Sequence, residues 1–342
     1  MDRRTNARLK DIAADVGVSM VTVSRALRNF PDISKEMKAR ILERARVLNY
    51  RPNLMARGLV TGRTSLIGLI VPDLIHPYFS EVAKSLSALL RMKNYFQIIS
   101  SSDNDPQLER DAIGRMLAHH LDCIVVASCQ GSTDSLKQII DSGIPLILLD
   151  RNFKKFSCNF VGVNDYRVGQ LATEHLLAQG FKRIAYIRGP VTGTGDRRAR
   201  GYWDTIRRKD LSTREDYVVF IDETRDSNGE TVGTRAMNQI LNLFPRPDAV
   251  FCHNDSIAVG AMEKAFEVGL RIPADIAFIG CGNFHYSDKL RVPLSSIDQK
   301  ARQLGECAAR LVTSILTRSS SPRIRTVVLE PELVIRESSQ AP

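Results

Sequence analysis

The chain has little to offer as sulfur, metal or membrane chemistry. Its six cysteines, Cys123, Cys129, Cys158, Cys252, Cys281 and Cys307, form no CxxC pair. That removes the common zinc and dithiol-redox spacings. Most lie in apolar runs and read as reduced, buried small side chains of a cytosolic protein. No apolar run approaches a membrane span, and the opening MDRRTNARLK has no apolar core of an export signal. Catalytic spacings are missing as well. There is no GxxxxGK loop, and Gly193-Thr194-Gly195 lacks the third glycine of a dinucleotide fingerprint. His119 and His120 are adjacent, so on a helix they point in different directions and make a poor metal pair. No Ser/His/Asp set has a nucleophile elbow. The chain is therefore not read as an enzyme, and neither cofactor nor metal is expected.

What is present begins with charge. The 342 residues suffice for two or three cores, and 43% hydrophobic with 25% charged residues is an ordinary soluble composition. The net charge of +10 is uneven: residues 1–63 hold 14 Lys/Arg against 6 Asp/Glu, and the remainder 34 against 32. A basic head on a near-neutral body is the footprint of a nucleic-acid binder.

That head reads as a helix-turn-helix. Leu9, Ile12, Ala13 and Val16 share one helical face, Gly17 supplies the turn, and Ser19 caps a second helix. On it Val23, Ala26 and Leu27 face inward, leaving Met20, Val21, Thr22, Ser24, Arg25 and Arg28 outward. An outward Met-Val pair suits thymine methyls, and Arg25 can offer two donors to a guanine edge. Thr22 and Ser24 suit phosphates. The competing assignment for Met20 and Val21 is packing against the third helix. That helix opens with Ser34 as its cap, carries Ile41, Leu42, Ala45 and Leu48 as its stripe, and is blocked by Pro52. Ser19 and Ser34 are counted with the outward residues as the DNA-facing set.

The segments LKDIAADVGVS, TVSRAL, ISKEMKARILERARVLNYRPN and NLMARGLVTGRTSLIGLIVPD stand in the order and spacing of the LacI/GalR family of bacterial transcription regulators. The chain resembles that family to about residue 335. The resemblance implies a hinge helix over 53–63 that folds when two subunits meet on DNA. It starts at Asn53, Ala56 lies in its helix-pair contact, and Leu59 is wedged into the central minor groove. An apolar wedge fits the physics of kinked DNA, and Gly58 should weaken the helix.

Beyond Ser65, short apolar runs alternate with helical patterns twice over, which predicts two doubly wound α/β lobes. The resemblance makes them periplasmic-binding-protein-like: 64–163 with 294–323, and 164–293 with 324–338, behind a three-helix head over 1–52. It places an effector cleft between them, lined by Tyr78, Phe79, Asp150, Asn164, Arg198, Asn228, Asn254 and Asn283. Tyr78 and Phe79 could equally be core, Asp150 a lobe brace, and Asp255 a brace or cap of its own helix. Two departures stand out. Gly282 replaces the carboxylate that holds sugar hydroxyls, and Asn228 replaces an aromatic platform. Arg197, Arg198 and Arg200 together would suit a phosphorylated or acidic effector.

The expected protein is a homodimeric repressor in the bacterial cytoplasm, associated with the nucleoid, without membrane contact. It binds a pseudo-palindromic double-stranded operator under control of a small effector, a sugar or related compound. The absence of an apolar heptad tail in VIRESSQAP argues against a tetramer. Two rivals remain at this stage: a regulator gated by a protein partner, and a small-molecule binding protein whose head is incidental.

Overall fold

The computed structural model describes residues 7–51, 62–153, 155–189, 193–209, 214–220, 229–317 and 323–341. The expected hinge residues Asn53, Ala56 and Leu59, and Asn228 of the cleft set, lie outside them. The chain divides into a head ending at Thr64 and a body from Ser65.

In the head, α1 (Leu9–Val16), α2 (Met20–Leu27) and α3 (Lys35–Val47) enclose Ile12, Val23, Ala26 and Ile41. Ser19 Oγ accepts from the Thr22 N–H at 3.1 Å and Ser34 Oγ from the Met37 N–H at 3.2 Å, so both serines are N-caps. Gly17 (φ 76°) makes the turn. One detail differs from expectation. Leu42 is 45% exposed: it stands one residue, about 100°, off the Ile41–Ala45–Leu48 stripe. Pro52, the expected stop, lies outside the described residues, and α3 ends at Val47. Asn49 takes a left-handed φ of 48°, and the Tyr50 N–H closes onto the Ala45 carbonyl at 2.8 Å.

Among the described residues the body holds two six-stranded sheets. The first has order β11-β5-β4-β3-β1-β2 and is parallel throughout. It comprises β1 (Leu66–Val71), β2 (Phe96–Ser101), β3 (Cys123–Val126), β4 (Leu146–Leu149), β5 (Asn159–Val163) and β11 (Thr326–Leu329). The second has order β12-β10-β9-β8-β6-β7, from β6 (Ile184–Arg188), β7 (Val218–Phe220), β8 (Ala249–Cys252), β9 (Ala277–Cys281), β10 (Ser295–Asp298) and β12 (Glu332–Val334). Only β12 runs antiparallel there. Inner strands such as β1 and β4 are apolar runs dominated by Val, Ile and Leu because helices cover both faces. The helices are α4 (Pro77–Met92), α5 (Pro106–Ala118), α6 (Asp134–Asp141), α7 (Asp165–Ala178), α8 (Thr194–Arg208), α9 (Gly229–Leu241), α10 (Asp255–Glu267) and α11 (Ala301–Thr317).

The lobe assignments of the C-terminal segments need correction. Residues 294–323 do not all return to the first lobe: β10 pairs with β9 in the second sheet, and only α11 goes back, packing on α4. Nor does 324–338 all belong to the second, since β11 pairs with β5 before β12 joins β10. The crossovers therefore fall at Asn164, at Gln299-Lys300 and at Glu330-Pro331. They are tied to one another. Asn164 Nδ2 donates to the Glu330 carboxylate at 3.0 Å, and Lys300 pairs with Glu332.

Candidate functional site

The cleft opens at the carboxyl ends of the strands, between the lobes, where doubly wound sheets bind ligands. It encloses about 760 Å³, part of it open to solvent. Tyr78, Phe79 and Asp150 line it from the first lobe, Arg198 and Asn254 from the second.

Asp150 follows β4 with φ 62°, an unusual conformation for a non-glycine residue and one that aims its carboxylate into the cleft region. The Tyr78 hydroxyl donates to Asp150 Oδ1 at 2.8 Å. Burial, and then the Asp150 charge, hold the Tyr78 phenol well above its ordinary pKa. Tyr78 and Phe79 are both wall and core. Each is at most 6% exposed, and their rings meet edge to face at 5.0 Å.

Arg198 reaches the cleft because α7 and α8 pack unusually close. A Cβ on Gly169 would fall 2.0 Å from the Arg198 carbonyl oxygen, and one on Gly201 2.1 Å from that of Tyr166. Only glycines allow that approach. Arg198 is 3% exposed; its Nε donates to Asp165 Oδ1 at 3.0 Å and its Nη1 to the His253 carbonyl at 2.7 Å. Arg197 takes the other oxygen of the same carboxylate, Nη2 to Asp165 Oδ2 at 3.0 Å, and also donates to Asn152 Oδ1. Burial raises the Asp165 carboxyl, against the pull of Arg198. The expected cluster of three arginines thus resolves into two that share Asp165 and an exposed Arg200.

Asn254 caps α10, its Oδ1 accepting from the Ile257 N–H at 2.8 Å. Its Nδ2 points across the lobes to His76 Nε2 at 3.4 Å. His76 also meets Phe284 of the second lobe edge to face at 5.3 Å. Burial lowers the His76 pKa to about 4. Burial, and then Arg198 and Arg151, lower that of His253 far below its ordinary value. Both cleft histidines are neutral.

Two candidates leave the cleft. Asn164 caps α7 and holds the crossover through Glu330. Asn283 Oδ1 accepts from Arg336 Nη2 at 2.7 Å. Asp255 does not cap its own helix. It is fully buried and accepts from Ser296 Oγ, the Phe284 N–H and Ser287 Oγ, bracing the loop after β9. Gly282 acquires a physical reason here: its φ is 131°, and a Cβ would lie 2.4 Å from the Phe284 ring. That ring fills the space a side chain at 282 would need. Sequence reasoning missed His76, Arg151, His253 and Gln299, all of which line the cleft. His76 stands two residues before the chosen Tyr78, and His253 directly before the chosen Asn254.

In the head, Met20 and Val21 are 56% and 67% exposed, not packed on α3. Thr22 Oγ1 lies 2.9 Å from Ser19 Oγ, and Arg28 Nε donates to the Ser24 carbonyl at 3.3 Å. Arg25 is held by Asp32, with Nε to Oδ2 at 2.9 Å.

A helix-turn-helix joined to a two-lobed body with a cleft at the carboxyl ends of its strands defines a DNA-binding regulator governed by an effector. The comparisons agree. The family of lacI-type bacterial regulatory proteins matches residues 8–53, and a periplasmic binding protein-like domain matches 173–339. The chain is 30% identical over 335 residues to the HTH-type transcriptional repressor PurR of Mannheimia succiniciproducens, covering 97% of this chain and 98% of that one. It is 28% identical over 319 residues to catabolite control protein A of Priestia megaterium, covering 92% and 94%. A LacI-family regulator from Silicibacter pomeroyi superposes with TM-score 0.83 at 25% identity, over 98% and 99% of the chains. The lac repressor dimer bound to operator and the anti-inducer ONPF shares the fold, with TM-score 0.85 at 22% identity over 98% and 100%. The chain belongs to the LacI family of transcriptional regulators.

Proposed function

We propose that this chain is a homodimeric repressor of the bacterial cytoplasm, whose cleft binds an uncharged, hydroxyl-rich effector and performs no reaction on it. The observation that carries the effector's chemistry is the pairing of charge. Arg197 and Arg198 are already matched by Asp165, and Arg151 lies 4.0 Å from Asp150. A phosphate would have to compete with Asp165 and Asp150 for each of these guanidinium groups, whereas Asp150, Arg198 and Asn254 can share hydrogen bonds with hydroxyls. This replaces the phosphorylated or acidic effector suggested by the arginine cluster. Effector binding acts on the contacts of His76 with Asn254 and Phe284, which join the lobes, and so on the spacing of the hinges.

On DNA, α2 enters the major groove, with Met20 and Val21 against thymine methyls and Arg25 on a guanine edge. Ser19, Thr22, Ser24, Arg28 and Ser34 border the phosphates. The hinge from Asn53, with Ala56 at the pair contact and Leu59 as wedge, enters the minor groove. The exposure of Met20 and Val21 supports the first part. For the dimer, the support is the edge strand β2, whose Phe96 is 59% exposed and Ile98 and Ile99 each 40%. A second copy would cover such an edge.

The test is a thermal-shift series on the full-length protein with neutral mono- and disaccharides and the corresponding sugar phosphates. Neutral sugars should raise the melting temperature; a response confined to the phosphates would overturn the charge-pairing argument.

A further inference from the structure

Phe30 and Asp32 contribute nothing to the three-helix core, yet both close on one side chain. Phe30 is 37% exposed. Asp32 Oδ2 accepts from Arg25 Nε at 2.9 Å and lies 2.7 Å from Arg25 Nη2. The Arg25 guanidinium also lies over the Phe30 ring, 4.6 Å from its centroid, and Arg28 approaches the same ring at 4.9 Å. The ring is placed by backbone geometry. Asn29 turns with φ 63°, and the Phe30 N–H closes onto the Arg25 carbonyl at 3.1 Å.

A guanidinium is a planar fork of five N–H donors. A carboxylate on its Nε/Nη2 edge and a ring on its face remove most of its orientational freedom. The edge left over, Nη1 with the second Nη2 hydrogen, carries two parallel donors. Those are the donors that O6 and N7 of guanine accept. Asp32 also adds a negative charge on the DNA-facing side, which weakens sequence-independent attraction to phosphates.

We propose that Asp32 and Phe30 are positioning residues that hold Arg25 in its base-reading orientation, so that they set sequence discrimination rather than affinity. This rests on the reading of Arg25 as a base contact. The experiment is selection of randomised DNA duplexes at low salt by the full-length protein and by Arg25→Ala, Asp32→Asn and Phe30→Leu. Wild type should enrich a guanine in each half-site, and Arg25→Ala should lose that preference by roughly 5- to 150-fold. Asp32→Asn and Phe30→Leu should each weaken it at the same base pair by about 3- to 10-fold, with other positions unchanged. Asp32→Asn should bind random-sequence DNA at least as tightly as wild type.

If Arg25→Ala leaves every preference intact, the base-reading assignment fails and takes the proposal with it. If Arg25→Ala erases the guanine but neither other variant touches it, the positioning role alone is overturned. It is overturned equally if Asp32→Asn sharpens the guanine preference, making Asp32 a competitor of the base, or if the loss spreads evenly over all positions.

Discussion

The head and the cleft handle polar side chains in opposite ways. In the head the candidate contact residues are exposed or half-buried, and their partners reach solvent too: Arg25 and Asp32 have side chains 38% and 49% accessible. In the cleft, Arg198 and Asp165 are 4% and 2% accessible and already bonded to each other before any ligand arrives. Exposed ion pairs are cheap to rearrange, whereas breaking a buried one leaves an uncompensated charge. The head's exposed groups can therefore add contacts on the edges they leave open, whereas a ligand entering the cleft would meet a network already made.

The contrast can be broken at Arg198. Arg198→Ala leaves Asp165 buried beside Arg197 alone, and should destabilise the body by about 3–5 kcal/mol in a denaturant melt. A change within the noise of the melt would mean that the buried pair is no more structural than the exposed one in the head. Next comes Gly201→Ala. Its Cβ would press on the Tyr166 carbonyl, forcing α7 and α8 apart at a cost of about 1–3 kcal/mol. Effector response should fall with it, because Arg198 is displaced.

His76 gives a pH-dependent test. Its pKa is lowered to about 4 in the folded protein. Between its ordinary value and about 4, the unfolded chain takes up a proton that the folded chain refuses. The stability it contributes is complete above pH 6.5 and is lost as pH falls. The stability difference between wild type and His76→Gln should shrink in wild type's disfavour from pH 7 to 4, by up to about 3 kcal/mol. A difference independent of pH would show that His76 is not held neutral. The smallest effect is expected in the head: Leu42→Ala should change stability by less than about 0.5 kcal/mol, whereas Ile41→Ala, one residue away, should cost about 2–5 kcal/mol.

Legibility followed the same physics. Strands such as Leu66–Val71 and Leu146–Leu149 were readable because a sheet covered on both faces demands unbroken apolar runs. The late strands β10, β11 and β12 were not, since SSID, TVVL and ELV are short and only partly apolar. The lobe boundaries were misplaced for that reason. Ser19, Ser34 and Gly17 were legible because caps and turns are local chemistry. Asn164 and Asn283 were misassigned because their partners, Glu330 and Arg336, are 166 and 53 residues away. No local pattern announces such a pairing. His76 was overlooked beside the aromatic pair it precedes, since its role depends on Asn254 and Phe284 from the other lobe.

The order of the strands also bears on how the protein is made. Each sheet is completed at one edge by a strand from the last part of the chain, the first by β11 and the second by β12. A ribosome that has released residues up to Arg323 has delivered the whole head but has finished neither lobe. A stop codon or proteolytic nick at that point would injure both lobes together. It would leave a DNA-reading head cut off from effector control.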